Sequence, residues 1–210
     1  MAGHPLFAAL YDRALAGVER AGLAQRRAAL LAAAGGRTLE VGAGTGANLR
    51  HYPSAVSELV LTEPDPHMAA RLRSKLDPAG SPRPQVVEAD AERLPFADDS
   101  FDTAVSTLVL CTVSDPRRAA EEIARVLRPG GRLLLIEHVR DPAEGARARW
   151  QDRLERPWGW VAGSCHPNRD TAATLSAAGF DVAGLEPGRI PRGGPLVKPA
   201  ISGSAGHRGR

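Results

Sequence analysis

The chain has 210 residues, of which 43% are hydrophobic, and at this length a single α/β domain can bury a core of its own. Acidic and basic residues nearly balance, at 24 against 27, so the formal net charge is only +3. This balance argues against a nucleic-acid-binding protein. No apolar run reaches the roughly twenty residues that a membrane span needs.

The two cysteines, Cys111 and Cys165, are too few for a disulfide framework. Reduced thiols are typical of the cytoplasm, and the first residues lack the basic start and apolar stretch of a signal peptide. We therefore expect a cytoplasmic protein. The sequence does not indicate an oligomeric state.

Hydrophobic spacing and turn residues predict alternating elements in the first half of the chain. A helical lid over residues 5–34 is interrupted near Gly17 and Gly22. Strands are predicted, in order, at residues 38–41, 59–62 and 85–88. A glycine-rich turn and a helical stretch separate the first two strands, and a helix through Met68 and Leu72 separates the next two.

The second half continues the alternation and then becomes less regular. We predict strands at 101–110 and 133–136 with an amphipathic helix at 117–127 between them. A helix at 171–180, a short strand from Asp181 and a last strand at 196–201 follow. We expect residues 1–201 to form one domain and residues 202–210 to be a disordered tail that carries part of the basic surplus.

Strands that alternate with helices favour a doubly wound, mostly parallel sheet. Ligands of such sheets bind beyond the carboxyl ends of the strands. The chemistry should therefore lie at residues 40–46, at Glu63, at Asp90, at residues 108–112 and at residues 137–138.

The strongest local signal is the turn that follows the first strand. Gly42, Gly44 and Gly46 alternate there, which lets the backbone approach a ligand closely. With Ala47 the turn also fits the dinucleotide pattern G-x-G-x-x-G/A, and Glu63 stands where an acid could accept a ribose diol. A nicotinamide oxidoreductase stays open at this point.

Three further features favour another cofactor. Glu40, two residues before the first glycine, suits a cationic ligand better than a pyrophosphate. Asp90 could accept a hydrogen bond from an adenine amino group, with Ala91 and the apolar residues 94–96 covering the ring. The turn 128–131 precedes the fifth strand, and dinucleotide folds do not require this set in this order.

These segments resemble the class I S-adenosylmethionine (SAM)-dependent methyltransferases of the type 11 group, whose central part runs E-V-G-x-G-x-G, D-A-x-x-L-P-F and L-R-P-G-G. The resemblance covers residues 37–138. It implies a seven-stranded sheet with a reversed last strand, and SAM over the glycines with its ribose on Glu63 and its adenine near Asp90. We expect the cofactor to be held by Glu40, Gly42, Ala43, Gly44, Gly46, Asn48, Glu63, Pro64, Asp90, Ala91 and Thr107.

Residues 41–48, 107–113 and 137–139, with Trp150 and the Ser164-Cys165 step, are similar to the methyltransferase-like thiol methyltransferases of animals. This narrower resemblance implies methyl transfer to a small alkyl thiol. The chain departs from it at Ala200, Ser202 and Ser204, where the family has a histidine and aromatic residues. O- or N-methylation of a small metabolite, lipid headgroup or quinone therefore stays open, as does a SAM-binding domain without catalysis.

The predicted acceptor is a small, partly apolar molecule, because the residues predicted to line its pocket are mostly apolar or aromatic: Phe7, Tyr11, Leu110, Cys111, Trp150 and Trp158. A thiol ionises near neutrality and needs little help from a base. An alcohol or phenol would need one, and His138 is the first candidate. Cys165 and His166 are too few ligands to indicate a metal site, so none is predicted.

Overall fold

The computed structural model describes residues 13, 15–77 and 84–209. Phe7, Tyr11 and the start of the predicted helical lid lie outside these residues. Helix 15–18 continues as a π-helical turn, Glu19–Leu23, into α1 (Ala24–Leu31). The break is at Gly22, whose φ is 125°, whereas Gly17 lies inside the helix. Within the part of the chain that the structure describes, no helix combines the length and the apolar character of a membrane span.

The centre of the described structure is one eight-stranded sheet. Its strands are β1 (Gly36–Val41), β2 (Val56–Thr62), β3 (Gln85–Val87), β4 (Phe101–Thr107), β5 (Leu127–His138), β6 (Phe180–Asp181), β7 (Leu185–Arg189) and β8 (Pro199–His207). The order is β3-β2-β1-β4-β5-β8-β6, and β7 also pairs with β8. The first five strands are parallel and β8 runs antiparallel to β5. The doubly wound, mostly parallel sheet is confirmed, with β7 as an additional strand.

Four further helices connect or flank the strands: α2 (Pro66–Ser74), α3 (Pro116–Val126), α4 (Ala146–Val161) and α5 (Thr171–Ala177). Aspartates at positions 65, 115 and 170 begin α2, α3 and α5, each accepting a hydrogen bond from a backbone N–H of the first turn. Proline occupies the first helical position of α2 and α3. These local signals fix the residues at which the three helices start, and therefore where the loops that precede them end.

Successive residues of the central strands point to opposite faces of the sheet. Ala104 and Leu133 pack in the cluster that contains Ile123 of α3. Their neighbours Val105 and Leu134 pack in the cluster on the other face, which includes Leu31, Leu61 and Leu72. Both faces of the sheet are therefore covered, which leaves its edge at the carboxyl ends of β1, β2, β4 and β5 for a ligand.

The segment after the glycine-rich turn does not form the predicted α-helical stretch. Only one 3₁₀ turn, Leu49–His51, lies between β1 and β2. Tyr52 is extended, with φ −71° and ψ 130°, because the following Pro53 disfavours a helical conformation at that position. The glycine-rich turn is therefore not followed directly by an α-helix N-terminus.

The predicted disordered tail at 202–210 is wrong, because β8 continues to His207. Ser202–Gly206 pair with Ile136–Arg132 of β5, and Ala205 is fully buried. The small residues of this strand show no apolar alternation. The strand forms nevertheless, because its backbone pairs with β5 on one side and with β6 and β7 on the other. The predicted last strand at 196–201 begins instead at Pro199, and the domain boundary moves from 201 to at least 207.

Candidate cofactor and acceptor site

The glycine-rich turn takes a conformation that only glycine adopts readily. Gly42, Gly44 and Gly46 have φ values of 62°, 58° and 85°. A Cβ on Gly42 would lie 2.7 Å from the side chain of Val109, so the turn packs directly on the segment that follows β4. The N–H of Gly44 donates to Glu63 Oε2 at 2.8 Å. The turn is therefore tied to the segments that follow β2 and β4, the strands on either side of β1.

Glu40 is a buried carboxylate next to this turn, 2% exposed. Its Oε1 accepts from Asn48 Nδ2 at 2.9 Å and its Oε2 accepts from the Tyr52 hydroxyl at 2.6 Å. Burial raises the pKa of Glu40 from 4.5 to about 7, against the opposing effect of these two donors. A cation placed beside Glu40 would favour the ionised carboxylate.

Arg27 completes this network from α1, and the sequence reasoning missed it. The guanidinium is 3.0 Å from Glu19 Oε1 and donates to Asn48 Oδ1 at 3.0 Å and Thr107 Oγ1 at 2.7 Å. It therefore links Asn48 and Thr107, both predicted cofactor residues. A signal was present, because Arg27 is four residues after Leu23 and four before Leu31, on the face that α1 buries.

The remaining predicted cofactor residues follow β2 and β3. Glu63 accepts from the N–H of Asp65 at 2.9 Å as well as from Gly44, and burial raises its pKa. Asp90 is exposed and accepts from the N–H of Glu92 at 3.0 Å, so its carboxylate holds its own turn. Ala91 is buried and Pro64 is exposed. Glu40 thus precedes the glycines in the chain, and Glu63 contacts them through the N–H of Gly44.

Another buried carboxylate, Glu137, lies near the end of β5. Its Oε1 accepts from the N–H groups of Val109 at 2.8 Å and Leu110 at 3.1 Å, and from the Ser106 hydroxyl at 3.0 Å. Burial raises its pKa. These bonds fix the chain just after Leu108, whose φ is 61°. Glu137 thereby sets the position of Cys111.

Cys111, His138 and Cys165 come together beyond β4 and β5, and we call them the Cys–His cluster. All three are buried, and their sulfur and ring nitrogen atoms lie within 4.8 Å of one another. His138 Nε2 is 3.0 Å from Cys165 Sγ, and Trp158 Nε1 donates to the same sulfur at 3.2 Å.

Hydrogen bonds from Cys111, His138 and Trp158 lower the pKa of Cys165 to about 4. The pKa of Cys111 is raised well above its usual range, by its hydrogen bond to Cys165 and by burial.

The structure brings together only some of the predicted acceptor residues. Leu110, Cys111 and Trp158 lie in or beside the Cys–His cluster. Trp150 is 52% exposed and stacks with Arg153, whose guanidinium carbon is 5.7 Å from the ring centroid, so it lies on the surface. His166 pairs with Glu155 at 2.7 Å, so the histidine that joins Cys165 is His138.

A doubly wound sheet with a reversed strand beside β5, and a glycine-rich turn between two carboxylates, define a class of α/β proteins that bind nucleoside-containing cofactors. Residues 39–135 match the family described as methyltransferase domain. The human thiol S-methyltransferase TMT1B is 37% identical over 169 residues, which are 80% of this chain and 69% of the human protein. The match to the rat thiol S-methyltransferase TMT1B covers 61% of the length of that protein.

Two other proteins extend the comparison. The phosphatidylethanolamine N-methyltransferase of Cereibacter sphaeroides is 37% identical over 65% of this chain and 68% of its own length. The crystal structure of a SAM-dependent methyltransferase, possible histamine N-methyltransferase, from Thermotoga maritima superimposes with a TM-score of 0.67 at 23% identity, covering 96% of each chain. The chain belongs to the methyltransferase family of these relatives, and its fold is that of the class I SAM-dependent methyltransferases.

Proposed function

We propose that this methyltransferase transfers the methyl group of SAM to the sulfur of a small thiol. The glycine-rich turn, with Glu40, Asn48 and Thr107 on one side and Glu63 on the other, holds the cofactor. The donor set fits SAM because Glu40 offers a buried carboxylate to its ammonium group and Glu63 offers one to its ribose hydroxyls. Ala43, Pro64, Asp90 and Ala91 complete the proposed contacts.

The position of His138 is the observation that carries the choice of acceptor. Its Nε2 lies against Cys165 Sγ, and its Nδ1 is buried without a hydrogen-bond partner. His138 is only 4% exposed, so neither ring nitrogen is placed to take a proton from an alcohol or phenol, as a general base must. A thiol forms its reactive thiolate near neutrality and does not need this base. The relatives named thiol S-methyltransferases support the same choice.

The chain's own residues then act mainly by position. SAM, when bound, supplies an electrophilic methyl group that a nucleophile can take in a direct displacement. Glu137 holds the segment that carries Leu110 and Cys111, which packs through Val109 on the glycine-rich turn. This packing brings the acceptor side next to the cofactor side, and such proximity can contribute a large part of the rate.

We propose a small molecule as the acceptor and the cytoplasm as the location. Two free, buried cysteines are compatible with a reducing compartment. The main competitor within the family is an amino group of a lipid headgroup, which the name of the Cereibacter sphaeroides relative suggests.

The test is a product assay with isotope-labelled SAM. Purified protein is incubated with 1-propanethiol, a phenol, a primary amine, or phosphatidylethanolamine vesicles, and methylated products are identified by mass spectrometry. We expect S-methylated 1-propanethiol as the main product. Methylated phosphatidylethanolamine or phenol without a methylated thiol would overturn the proposal, and SAM binding without any product would favour a non-catalytic SAM-binding domain.

A further inference from the structure

We propose that the Cys–His cluster is a zinc site in which Cys111, His138 and Cys165 are three ligands and the acceptor sulfur is the fourth. The inference rests on the proposed function only for the identity of that fourth ligand. Two cysteines, one histidine and an exchangeable position make up a ligand set that catalytic zinc sites use. This proposal differs from the sequence-based prediction of no metal site. That prediction considered Cys165 and His166, whereas the fold brings Cys111 and His138 from distant parts of the chain to Cys165.

The ligands come from three separate elements. Cys111 follows β4, His138 is the last residue of β5, and Cys165 lies in the loop between α4 and α5. Their donor atoms lie within 4.8 Å of one another, as the ligands of a single ion must. Within the described part of the chain this set has three members, one short of the tetrahedral number that zinc takes in proteins.

The contact between Trp158 and Cys165 shows that the sulfur of Cys165 acts as an acceptor, as the sulfur of a metal ligand does. The indole N–H of Trp158 can only donate, so Cys165 Sγ must accept at that contact. A buried thiolate is costly unless it is paired with a positive charge or a metal. Trp158 would then be an outer-shell partner that orients the sulfur, as N–H donors do around metal-bound ligands.

The charge and place of the cluster suit a thiol ligand. Two thiolates neutralise a divalent ion, and the Arg169 guanidinium adds positive charge by donating to the carbonyl oxygens of Leu110 and Val113, on both sides of Cys111. Residue Val109, two positions before Cys111, lies against Gly42 of the cofactor turn. The fourth position of the ion therefore belongs to the side of the sheet edge where an acceptor meets SAM.

The chemistry of this step is balanced without an oxidant or reductant. The acceptor R–SH loses its proton to solvent as its sulfur binds the ion. A bond then forms between that sulfur and the methyl carbon, while the bond from this carbon to the SAM sulfur breaks and its electron pair stays on S-adenosylhomocysteine. The metal ion lowers the acceptor's pKa and holds its sulfur in place.

The test measures metal before activity. Full-length protein, reduced with a phosphine rather than a thiol, is loaded with Zn²⁺ and separately with Co²⁺. Mass spectrometry of bound metal should give about one ion per chain, and the Co²⁺ protein should show the intense visible bands of a tetrahedral site with thiolate charge transfer. Absence of both signals in the native protein would overturn the proposal, and this test requires no variant to fold.

Variants locate the site. Removal of outer-shell partners alone costs 10–100-fold in metal affinity, so Cys111→Ser, Cys165→Ser and His138→Gln should each cost at least about 100-fold. Trp158→Phe keeps the ring but loses the N–H and should cost about 10-fold. His166→Gln, next to Cys165 but paired with Glu155, is the matched control and should bind zinc as the native protein does. Loss of metal in His166→Gln with retention in His138→Gln would overturn the assignment.

A last arm separates this proposal from the proposed function. Addition of 1-propanethiol to the Co²⁺ protein should strengthen the thiolate charge-transfer band, whereas 1-propanol should not. Methylation of the thiol by protein that binds no metal would overturn the zinc site and leave the proposed function intact. A metal-loaded protein whose spectrum ignores the thiol, and that methylates phosphatidylethanolamine instead, would overturn the thiol acceptor and its place as fourth ligand.

Discussion

The cofactor side and the acceptor side of the site are assembled in different ways. On the cofactor side, Glu40, Asn48 and Tyr52 belong to one short stretch of chain and bond to each other. On the acceptor side, Cys111, His138 and Cys165 come from segments that only the folded sheet brings together. A local motif therefore identifies the cofactor, while the acceptor depends on tertiary structure.

Two buried glutamates show the same difference in detail. Glu40 accepts hydrogen bonds from side chains, the amide of Asn48 and the hydroxyl of Tyr52, which can rearrange when a ligand enters. Glu137 accepts from the backbone N–H groups of Val109 and Leu110, which cannot leave without moving the chain. We infer that Glu40 responds to the cofactor, whereas Glu137 is a positioning residue of the acceptor side.

The largest expected effect is on the cofactor side. Gly44→Val should abolish SAM binding in calorimetry, because valine is strained at φ 58° and its branched side chain fills the turn. Gly130→Val is the matched control, since Gly130 has φ 78° and open space around it in the turn of β5. The control should be destabilised by about 1–2 kcal/mol and still bind SAM. Normal SAM binding by folded Gly44→Val protein would contradict this placement of the cofactor.

The next effect tests the strand that supports the acceptor side. Truncation after Ser204 removes the partners of Arg132, Leu133 and Phe180 in β8, at about 1 kcal/mol per lost hydrogen bond. We expect a loss of roughly 3 kcal/mol or more in urea unfolding, with a loss of thiol turnover. Truncation after His207 removes an exposed pair of Arg208 with Asp181 and should cost less than about 1 kcal/mol. Equal stability of the two truncated proteins would show that β8 ends earlier.

Glu137→Ala should have an intermediate effect, because it leaves the N–H groups of Val109 and Leu110 without their partner. An unsatisfied buried donor costs about 1–3 kcal/mol, so unfolding free energy should fall by about 2–4 kcal/mol. Turnover should fall by a larger factor than SAM affinity. Glu121→Ala, which breaks an exposed pair with Arg117, should change unfolding by less than about 1 kcal/mol. An equal loss of turnover and SAM affinity in Glu137→Ala would remove the distinction between the two sides.

The smallest effect is a pH dependence from Glu40. Its pKa is raised from 4.5 to about 7, so the folded, ligand-free protein holds a proton between these values that the unfolded chain lacks. The contribution of Glu40 to the free energy of unfolding therefore decreases as pH rises from 4.5 to 7. The ammonium group of SAM favours the ionised carboxylate. The affinity for SAM should therefore increase by up to about tenfold for each unit that the pH rises between 5.5 and 7.

Glu40→Gln should remove this pH dependence and weaken SAM binding at pH 7.5. The exposed Glu58 on β2 provides the control, because Glu58→Gln should keep the native pH profile. Calorimetric titrations at several pH values measure both. An unchanged slope in Glu40→Gln would assign the pH dependence to another group.

Much of the cofactor side could be predicted from sequence because its signals are local. The alternating glycines and Glu40 lie within one strand and its turn, and aspartates with prolines begin the helices. Arg27 was missed because one of two adjacent arginines on a helix is usually solvated, and only its position between Leu23 and Leu31 indicates burial.

The acceptor side could not be predicted to the same depth. The contact between His138 and Cys165 requires β5 and the loop after α4 to meet, which no spacing in the sequence encodes. The strand β8 was missed because Ser202, Gly203 and Ser204 have no apolar pattern, and a strand held by backbone bonds on both sides does not need one.

The most direct test of the division between the two sides is the steady-state methylation of 1-propanethiol by Cys165→Ser protein, with SAM and thiol varied independently. We expect KM for SAM to stay within about twofold of the native value while kcat/KM for the thiol falls by about 100-fold or more. Native thiol turnover by this variant, or a loss carried entirely by KM for SAM, would contradict the division between the two sides.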